Sequence, residues 1–142
     1  MNKLQYLSAE LGPGKYFIGD ICYALEKDIY SQIWGDKFQY QDGCYEDFGF
    51  AVAGTMYGDG CYNGTDGVSY SVDAGVLGIT NISKQQRYDN AELNRLGKIV
   101  DVKESICMER LENGEFIFIV DGKSFIISTS LEYEEGKKIK LK

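Results

Sequence analysis

The chain has 142 residues, 44% of them hydrophobic, and a formal charge of −7 at pH 7. This length and composition predict a single globular domain, residues 1–142, that buries its own core without disulfide or metal staples. The whole net charge falls between Gly12 and Thr80, where ten Asp and Glu residues outnumber three lysines. A negative field repels phosphates and anionic lipids, which argues against double-stranded nucleic acid and membranes as partners and favours cations or basic protein surfaces. The same acidic residues would also serve simply to keep the protein in solution.

Residue types that several enzyme classes need are missing from the sequence. The chain has no histidine, which excludes Ser-His-Asp and Cys-His catalysis and makes a structural zinc site improbable. It has neither a P-loop nor a glycine-rich dinucleotide motif that opens a helix. The sequence therefore predicts no cofactor and no catalytic residue, and it favours a protein that is not an enzyme.

The expected location is the cytoplasm. No apolar run reaches the eighteen or so residues that a membrane-spanning helix needs, and Met1 to Leu11 lacks the charged and apolar regions of a signal peptide. In a reducing cytosol the cysteines are expected to be free thiols. These are Cys22, Cys44, Cys61 and Cys107.

The first part of the chain predicts strands around one helix. Residues 1–11 are an edge segment, 11–14 are a turn, and Lys15 to Gly19 read as a strand. Residues 25–34 follow with apolar side chains at helical spacing and acidic residues in the first turn, which predicts an amphipathic helix. Gly35 is its natural stop.

The middle of the chain is rich in glycine. The Asp42-Gly43 pair predicts a short hairpin turn, and residues 49–55 are small and apolar enough for a strand. The glycine density of residues 58–67 predicts a tight, shaped loop. Strands are expected at 68–73, where apolar and polar residues alternate, and at 76–80.

The last part predicts a meander. After a weak helical turn at 91–96, residues 98–111 read as one long strand, with a bulge near Ser105 as an alternative. Asn113-Gly114 and Asp121-Gly122 are hairpin signals, so residues 98–129 form three antiparallel strands. The expected fold class is therefore mainly β, a β-rich α+β fold: an antiparallel sandwich or open barrel with one amphipathic helix (about 25–34) and a C-terminal meander (98–129). The Lys-rich tail after residue 136 is expected to be solvated.

A D-x-C-Y tetrapeptide occurs at 20–23, 42–45 and 59–62, with spacings of 22 and 17 residues. One interpretation is that three loops each present an aspartate and a tyrosine to a shared pocket. The other is chance in a chain rich in Tyr and Asp, with Cys and Tyr serving the core. On the first interpretation the candidate residues for binding a ligand or partner are Asp20, Tyr23, Asp42, Tyr45, Tyr57, Asp59, Tyr62, Asp66 and Asp73.

The loop that begins at Asp59 only partly matches a calcium-binding pattern. An EF-hand needs oxygen donors at fixed positions and a bidentate Glu at position 12, but Cys61 and Tyr70 occupy two of those positions. The sequence therefore predicts no EF-hand and no metal site. If a hard cation did bind, its donors would be Asp59, Asn63 and Asp66. The alternative is a glycine-rich connection whose side chains cap their own backbone.

Three segments carry a resemblance to a known family. They read Y-F-I-G-D-I-C-Y at 16–23, T-M-Y-G-D-G-C-Y at 55–62 and Y-S-V-D-A-G-V-L-G at 70–78, with Trp34 between the first two. Over about residues 15–80 the chain resembles small uncharacterised proteins of tailed phages and bacteria. The resemblance implies a phage or prophage setting in the host cytosol and brings no established activity. Small phage proteins without enzyme motifs often counter host defence, which is an association and not a physical inference.

The expected function is that of a non-catalytic, phage-type binding protein. Its Gly/Asp/Tyr-rich face would bind a host protein or sequester a small nucleotide signal, and so counter host defence. One alternative is a small, metal-assisted hydrolase that depends on the carboxylates of Asp20, Asp59 and Asp73. Another is a phage accessory or structural subunit, in which the same face is the interface of a homo-oligomer.

Overall fold

The computed structural model describes residues 7–34, 40–45 and 48–129. Within these ranges the chain forms two helices, a 3₁₀ turn and eleven strands. The helices are α1 (Lys27–Trp34) and α2 (Asn90–Leu96), and the 3₁₀ turn is Ile21–Tyr23. The strands are β1 (Leu7–Leu11), β2 (Gly14–Gly19), β3 (Tyr40–Tyr45), β4 (Phe48–Gly54), β5 (Gly60–Asn63), β6 (Ser69–Val72), β7 (Val76–Asn81), β8 (Lys98–Val102), β9 (Ile106–Arg110), β10 (Glu115–Val120) and β11 (Lys123–Ser128).

The strands build two large antiparallel sheets and one hairpin. The four-stranded sheet has the order β1-β9-β10-β11, and the five-stranded sheet has the order β3-β4-β7-β2-β8. Strands β5 and β6 pair only with each other. Side chains of both large sheets meet in one hydrophobic cluster, with Ile18 and Ile79 on one side and Met108 and Phe118 on the other. The expectation of a mainly β, antiparallel fold is therefore confirmed.

Strand β7 lies at the centre of the five-stranded sheet. Its residue Gly78 allows the backbone of neighbouring strand β4 to approach closely. A Cβ at Gly78 would lie 2.1 Å from the carbonyl oxygen of Ala51 and 2.9 Å from the Cα of Val52. Both of these are backbone atoms of β4, so a side chain could be accommodated only if the strands moved apart. Gly78 therefore serves close backbone packing.

Both helices form near their predicted positions. Helix α1 begins at Lys27, two residues later than the sequence suggested, because Asp20 caps a separate 3₁₀ turn before it. Leu25 lies between the two and is buried in a cluster with Ile21. Helix α2 is a capped helix and not merely a turn: the Asp89 side chain accepts from the N–H of Glu92.

The predicted long strand at 98–111 is wrong. It is divided into β8 and β9, which belong to different sheets. The break is held by Asp121, whose carboxylate accepts hydrogen bonds from the backbone N–H groups of Lys103 (2.9 Å), Glu104 (2.7 Å) and Ser105 (3.2 Å). The meander is confirmed for β9, β10 and β11 only, and β8 pairs with β2 instead.

Two predicted turns have different outcomes. Asp121 and Gly122 have φ angles of 50° and 88°, as a two-residue hairpin turn requires. The turn at Asp42-Gly43 is wrong, because both residues lie inside β3, where they pair with Ala51 and Phe50. Extended pairing with β4 overrides the local turn preference.

The loop predicted at 58–67 is also partly wrong, because its middle forms strand β5. Gly58, Gly60 and Gly67 adopt positive φ angles at the two ends of this segment, where the chain turns. Gly35 and the Lys-rich tail lie outside the described residues.

We expect Gly78→Ala to destabilise the fold by about 2–3 kcal/mol, because the added methyl group forces the backbones of β4 and β7 apart. Gly12→Ala is the matched control: a Cβ there meets nothing within 4 Å, so a change within about 0.5 kcal/mol is expected. Urea unfolding of both variants gives the two free energies. Equal stability of the two variants would contradict the packing role of Gly78.

Candidate functional site

Three segments that are distant in the sequence meet at one end of the five-stranded sheet. The Asp20 carboxylate accepts hydrogen bonds from the backbone N–H groups of Asp73 (2.8 Å) and Ala74 (2.6 Å). The N–H of Thr55 donates to the carbonyl of Gly75 over 3.0 Å. We call the surface formed by residues 20–23, 55–60 and 73–75 the loop corner.

Asp20 is the internal support of the loop corner. It is fully buried, and its Oδ1 also accepts from the N–H of Cys22 at 2.9 Å, which caps the 3₁₀ turn. Burial raises the pKa of Asp20 above its ordinary value, although the three backbone hydrogen bonds act in the opposite direction. The carboxylate is thus occupied by the protein's own backbone and is not presented to solvent.

The outer side of the loop corner carries an apolar tip. Met56 and Tyr57 are 46% and 48% exposed, and they are the large hydrophobic side chains that stand out from the described surface. The tip is fixed by hydrogen bonds: the Thr55 hydroxyl accepts from the N–H of Gly58 (2.8 Å), and the N–H of Met56 donates to the Thr129 hydroxyl (3.0 Å).

The loop corner also carries acidic side chains. Asp59 and Asp73 are exposed, and the Asp59 carboxylate lies 3.7 Å from where a Cβ on Gly75 would be. Tyr23 is half-buried among these groups. Burial raises the pKa of Tyr23 to about 12, and the nearby carboxylates of Asp73, Asp20 and Asp59 add to this effect. The phenol is therefore a neutral hydrogen-bond donor at physiological pH.

Cys22 has no reactive character in this setting. Its thiol pKa is raised, first by burial and then by the negative charge of Asp20. Because the thiolate is the nucleophilic form, Cys22 stays an inert thiol at neutral pH. The four cysteines are free, as expected, and Cys44 and Cys61 are exposed.

The three D-x-C-Y tetrapeptides lie in three different environments. Residues 20–23 form the cap and the 3₁₀ turn, residues 42–45 belong to edge strand β3, and residues 59–62 run into β5. Asp42 is exposed but pairs with Ala51, away from the strand end that meets the loop corner. The Tyr45 side chain lies outside the described residues. The structure thus gathers Tyr23, Tyr57, Asp59 and Asp73 and leaves Asp42 elsewhere.

Tyr62 and Tyr70 are core residues. Tyr62 is buried, and its hydroxyl donates to the carbonyl of Gly58 over 2.9 Å, which supports the loop corner from below. Tyr70 is fully buried, and its hydroxyl donates to Asp66 Oδ2 over 2.7 Å. Neither aromatic ring is available to an external partner.

Asp66 is the centre of a polar network that sequence reasoning did not find. Its Oδ2 also accepts from Lys98 Nζ at 2.8 Å, and its Oδ1 accepts from the N–H of Val68 at 3.2 Å. Burial alone would raise the pKa of Asp66, but the hydrogen bonds from Lys98, Tyr70 and Val68 outweigh it and lower the pKa. Lys98 is 32 residues away from Asp66 in the sequence, so no local pattern could have indicated it.

The donors proposed for a cation do not assemble. Asp59 precedes β5, whereas Asp66 follows it and is paired with Lys98. Over residues 7–34, 40–45 and 48–129, no group of three or more His, Cys, Asp or Glu side chains is placed to hold a metal ion. Nor is any helix in these ranges long and apolar enough to cross a membrane.

Comparison with protein-family models, curated proteins and solved structures finds no match to this chain. The motif resemblance over residues 15–80 therefore remains an expectation, and function has to be argued from the geometry of the chain itself.

We expect Asp20→Asn to lower the free energy of unfolding by about 1–3 kcal/mol. An amide group has one acceptor oxygen, so its NH₂ would face backbone N–H groups that the carboxylate now binds. Amide hydrogen exchange at Asp73 and Ala74 should accelerate. The control is Asp73→Asn, whose exposed side chain makes none of these bonds and should change stability by less than about 0.5 kcal/mol. Similar losses in both variants would contradict the role of Asp20.

We expect the stability contribution of Asp66 to depend on pH. Its folded pKa lies below the ordinary value of 3.8, so its contribution is complete above that value and is lost as the pH falls through the folded pKa. The difference in unfolding free energy between the wild type and Asp66→Asn should therefore be constant above about pH 5 and shrink below pH 4. Asp101→Asn, which makes the same charge change at an exposed position of β8, serves as the control. A pH-independent difference for Asp66→Asn would refute this assignment.

Proposed function

We propose that this chain is a non-catalytic binding protein and that the loop corner is its contact surface for a protein partner. The observation that carries the proposal is the exposed tip of Met56 and Tyr57, held in place by Thr55 and Thr129. Single exposed hydrophobic residues need no explanation, but two adjacent ones on a fixed loop offer a pre-organised anchor. Tyr and Met are enriched in protein interfaces, and Tyr is frequent among the residues that dominate binding energy.

The charge around the tip favours a basic partner. Asp59 and Asp73 are exposed beside it, and the segment from Gly12 to Thr80 carries the whole net charge of −7. Complementary charge speeds association and sets the orientation of a complex, while the apolar tip supplies most of the affinity. The partner we propose therefore presents Lys or Arg side chains around an apolar recess.

The biological setting rests on the motif resemblance. The glycine and aspartate pattern of residues 15–80 is similar to that of small phage and bacterial proteins, which supports a role against host defence in the cytosol of an infected cell. This part of the proposal is an analogy and carries no physical weight of its own.

Features of the loop corner weigh against the other candidate functions. A metal-assisted hydrolase would need the Asp20 carboxylate, which is buried and binds three backbone N–H groups. A subunit interface built on Tyr57, Tyr62 and Tyr70 would have only Tyr57, because the other two tyrosines are buried in the core of the chain. Sequestration of a nucleotide at this acidic surface would place phosphates beside Asp59 and Asp73, and these like charges would repel each other.

The test is native mass spectrometry of the protein purified from bacteria under phage challenge and from unchallenged bacteria. We expect the wild type to retain a protein partner and the double variant M56S/Y57S to bind it at least about tenfold more weakly, as removal of a hot-spot residue does. The control K103S/E104S changes two exposed residues of the β8–β9 loop and should bind as the wild type does.

The outcomes separate the candidates. A partner that M56S/Y57S retains would show that the loop corner is not the contact surface. A nucleotide-sized mass on the challenged sample alone would replace the proposal with sequestration of a signal. A bare chain in both samples would contradict both functions.

A further inference from the structure

A cavity of about 320 Å³ opens where the edges of the two large sheets meet. Strand β8 is the edge of the five-stranded sheet and β11 is the edge of the four-stranded sheet. The turn between β5 and β6 closes the gap between them, and residues of all three elements line the cavity. Its volume is within the range of small-molecule sites, which favour the open mouths of β structures.

The turn that closes the cavity is fastened on both sides. Thr65 exchanges two hydrogen bonds with Ile126 of β11: its N–H donates to the carbonyl (2.9 Å), and its hydroxyl accepts from the N–H (3.0 Å). On the other side, Asp66 pairs with Lys98 of β8 at 2.8 Å. The cavity is thus a built feature with fixed walls on three sides.

The charged side chains that line the cavity have more hydrogen-bond donors than acceptors left for a ligand. Both oxygens of Asp66 are already used, by Val68 on one side and by Tyr70 and Lys98 on the other. The Lys98 ammonium has three N–H donors and gives one of them to Asp66. Lys123 also lines the cavity, and within the part of the chain that the structure describes its side chain has no hydrogen-bond partner. An anionic group on a ligand would accept hydrogen bonds from these two ammonium groups.

Apart from Ser124 at the rim, the remaining walls are apolar. Val100 of β8, Val120 of β10 and Phe125 of β11 face the cavity. The Phe125 ring is already engaged, because Lys98 Nζ lies 4.3 Å from its centroid and Tyr70 and Phe118 stack near it. An aliphatic body that packs against the valines therefore fits better than an aromatic ring stacked on Phe125.

We infer that this cavity binds a small organic anion whose apolar body packs against Val100 and Val120 and whose anionic group is held by Lys98 and Lys123. This site is separate from the loop corner, so its ligand is independent of the proposed protein partner. The lining charges, one carboxylate and two ammonium groups, leave the site with a local surplus of positive charge in an otherwise acidic protein.

The test uses octanoate and octan-1-ol as probes, since they share an apolar chain and differ in charge. In two-dimensional NMR titrations of the full chain we expect octanoate to shift the amide signals of Val100, Val120 and Ser124, with saturation. Octanol should bind more weakly at the same amides. Rising salt should weaken octanoate binding and leave octanol binding unchanged.

Three variants make the test specific. Lys123→Glu should lower octanoate affinity by about five- to tenfold, because it replaces an attraction with a repulsion. Lys27→Glu makes the same charge change in α1, outside the cavity, and should leave affinity unchanged. Ser124→Trp, at an exposed position of the cavity rim, should block both probes while the remaining spectrum stays folded.

The inference is overturned by any of three results. The first is that octanoate shifts none of these amides up to its solubility limit. The second is that octanol binds as tightly as octanoate and Lys123→Glu has no effect. The third is that the shifts appear at the loop corner instead of at the cavity.

Discussion

One buried carboxylate holds the loop corner together. Asp20 directly follows β2, caps the 3₁₀ turn through the N–H of Cys22 and binds the two N–H groups that follow β6. It thereby joins segments that are 53 residues apart in the sequence. A buried polar group costs free energy unless it is hydrogen-bonded. The Asp20 carboxylate and the backbone N–H groups that it binds therefore depend on one another. The positions of Gly75, of Thr55 and finally of the exposed tip at Met56 and Tyr57 depend on it.

The same principle explains how the chain uses its many aspartates. Asp20, Asp66, Asp89 and Asp121 all accept hydrogen bonds from backbone N–H groups, and Asp66 adds an ion pair with Lys98. Each of them fixes a turn or a helix end. The acidic residues that remain exposed, among them Asp59 and Asp73, are the ones that can give a surface its charge. The acidic residues therefore serve the architecture through one set of residues, and the recognition that we propose would use another.

The two candidate sites differ in their physical character. The loop corner is exposed, acidic and apolar at its tip, as suits the protein partner that we propose. The cavity between β8 and β11 is concave and lined by two lysines and apolar side chains, as suits a small anion. The β5–β6 hairpin connects them, since Gly60 begins at the corner and Asp66 closes the cavity. Tyr62 and Tyr70 pair on this hairpin and anchor it in the core.

The sequence by itself determined what is local: the β9-β10-β11 meander, the Asp121-Gly122 turn, the mainly β class and the approximate position of α1. Side-chain periodicity and turn chemistry act over a few residues, and they are readable without a partner strand. The tertiary structure decided what depends on neighbours. Asp20 and Asp59 begin the same tetrapeptide motif, yet one is buried and the other exposed, because only the strands around them set their solvation. The division of residues 98–111 between two sheets and the pairing of Lys98 with Asp66 are equally long-range. No spacing in the sequence encodes them, since the contacts exist only once the sheets have formed.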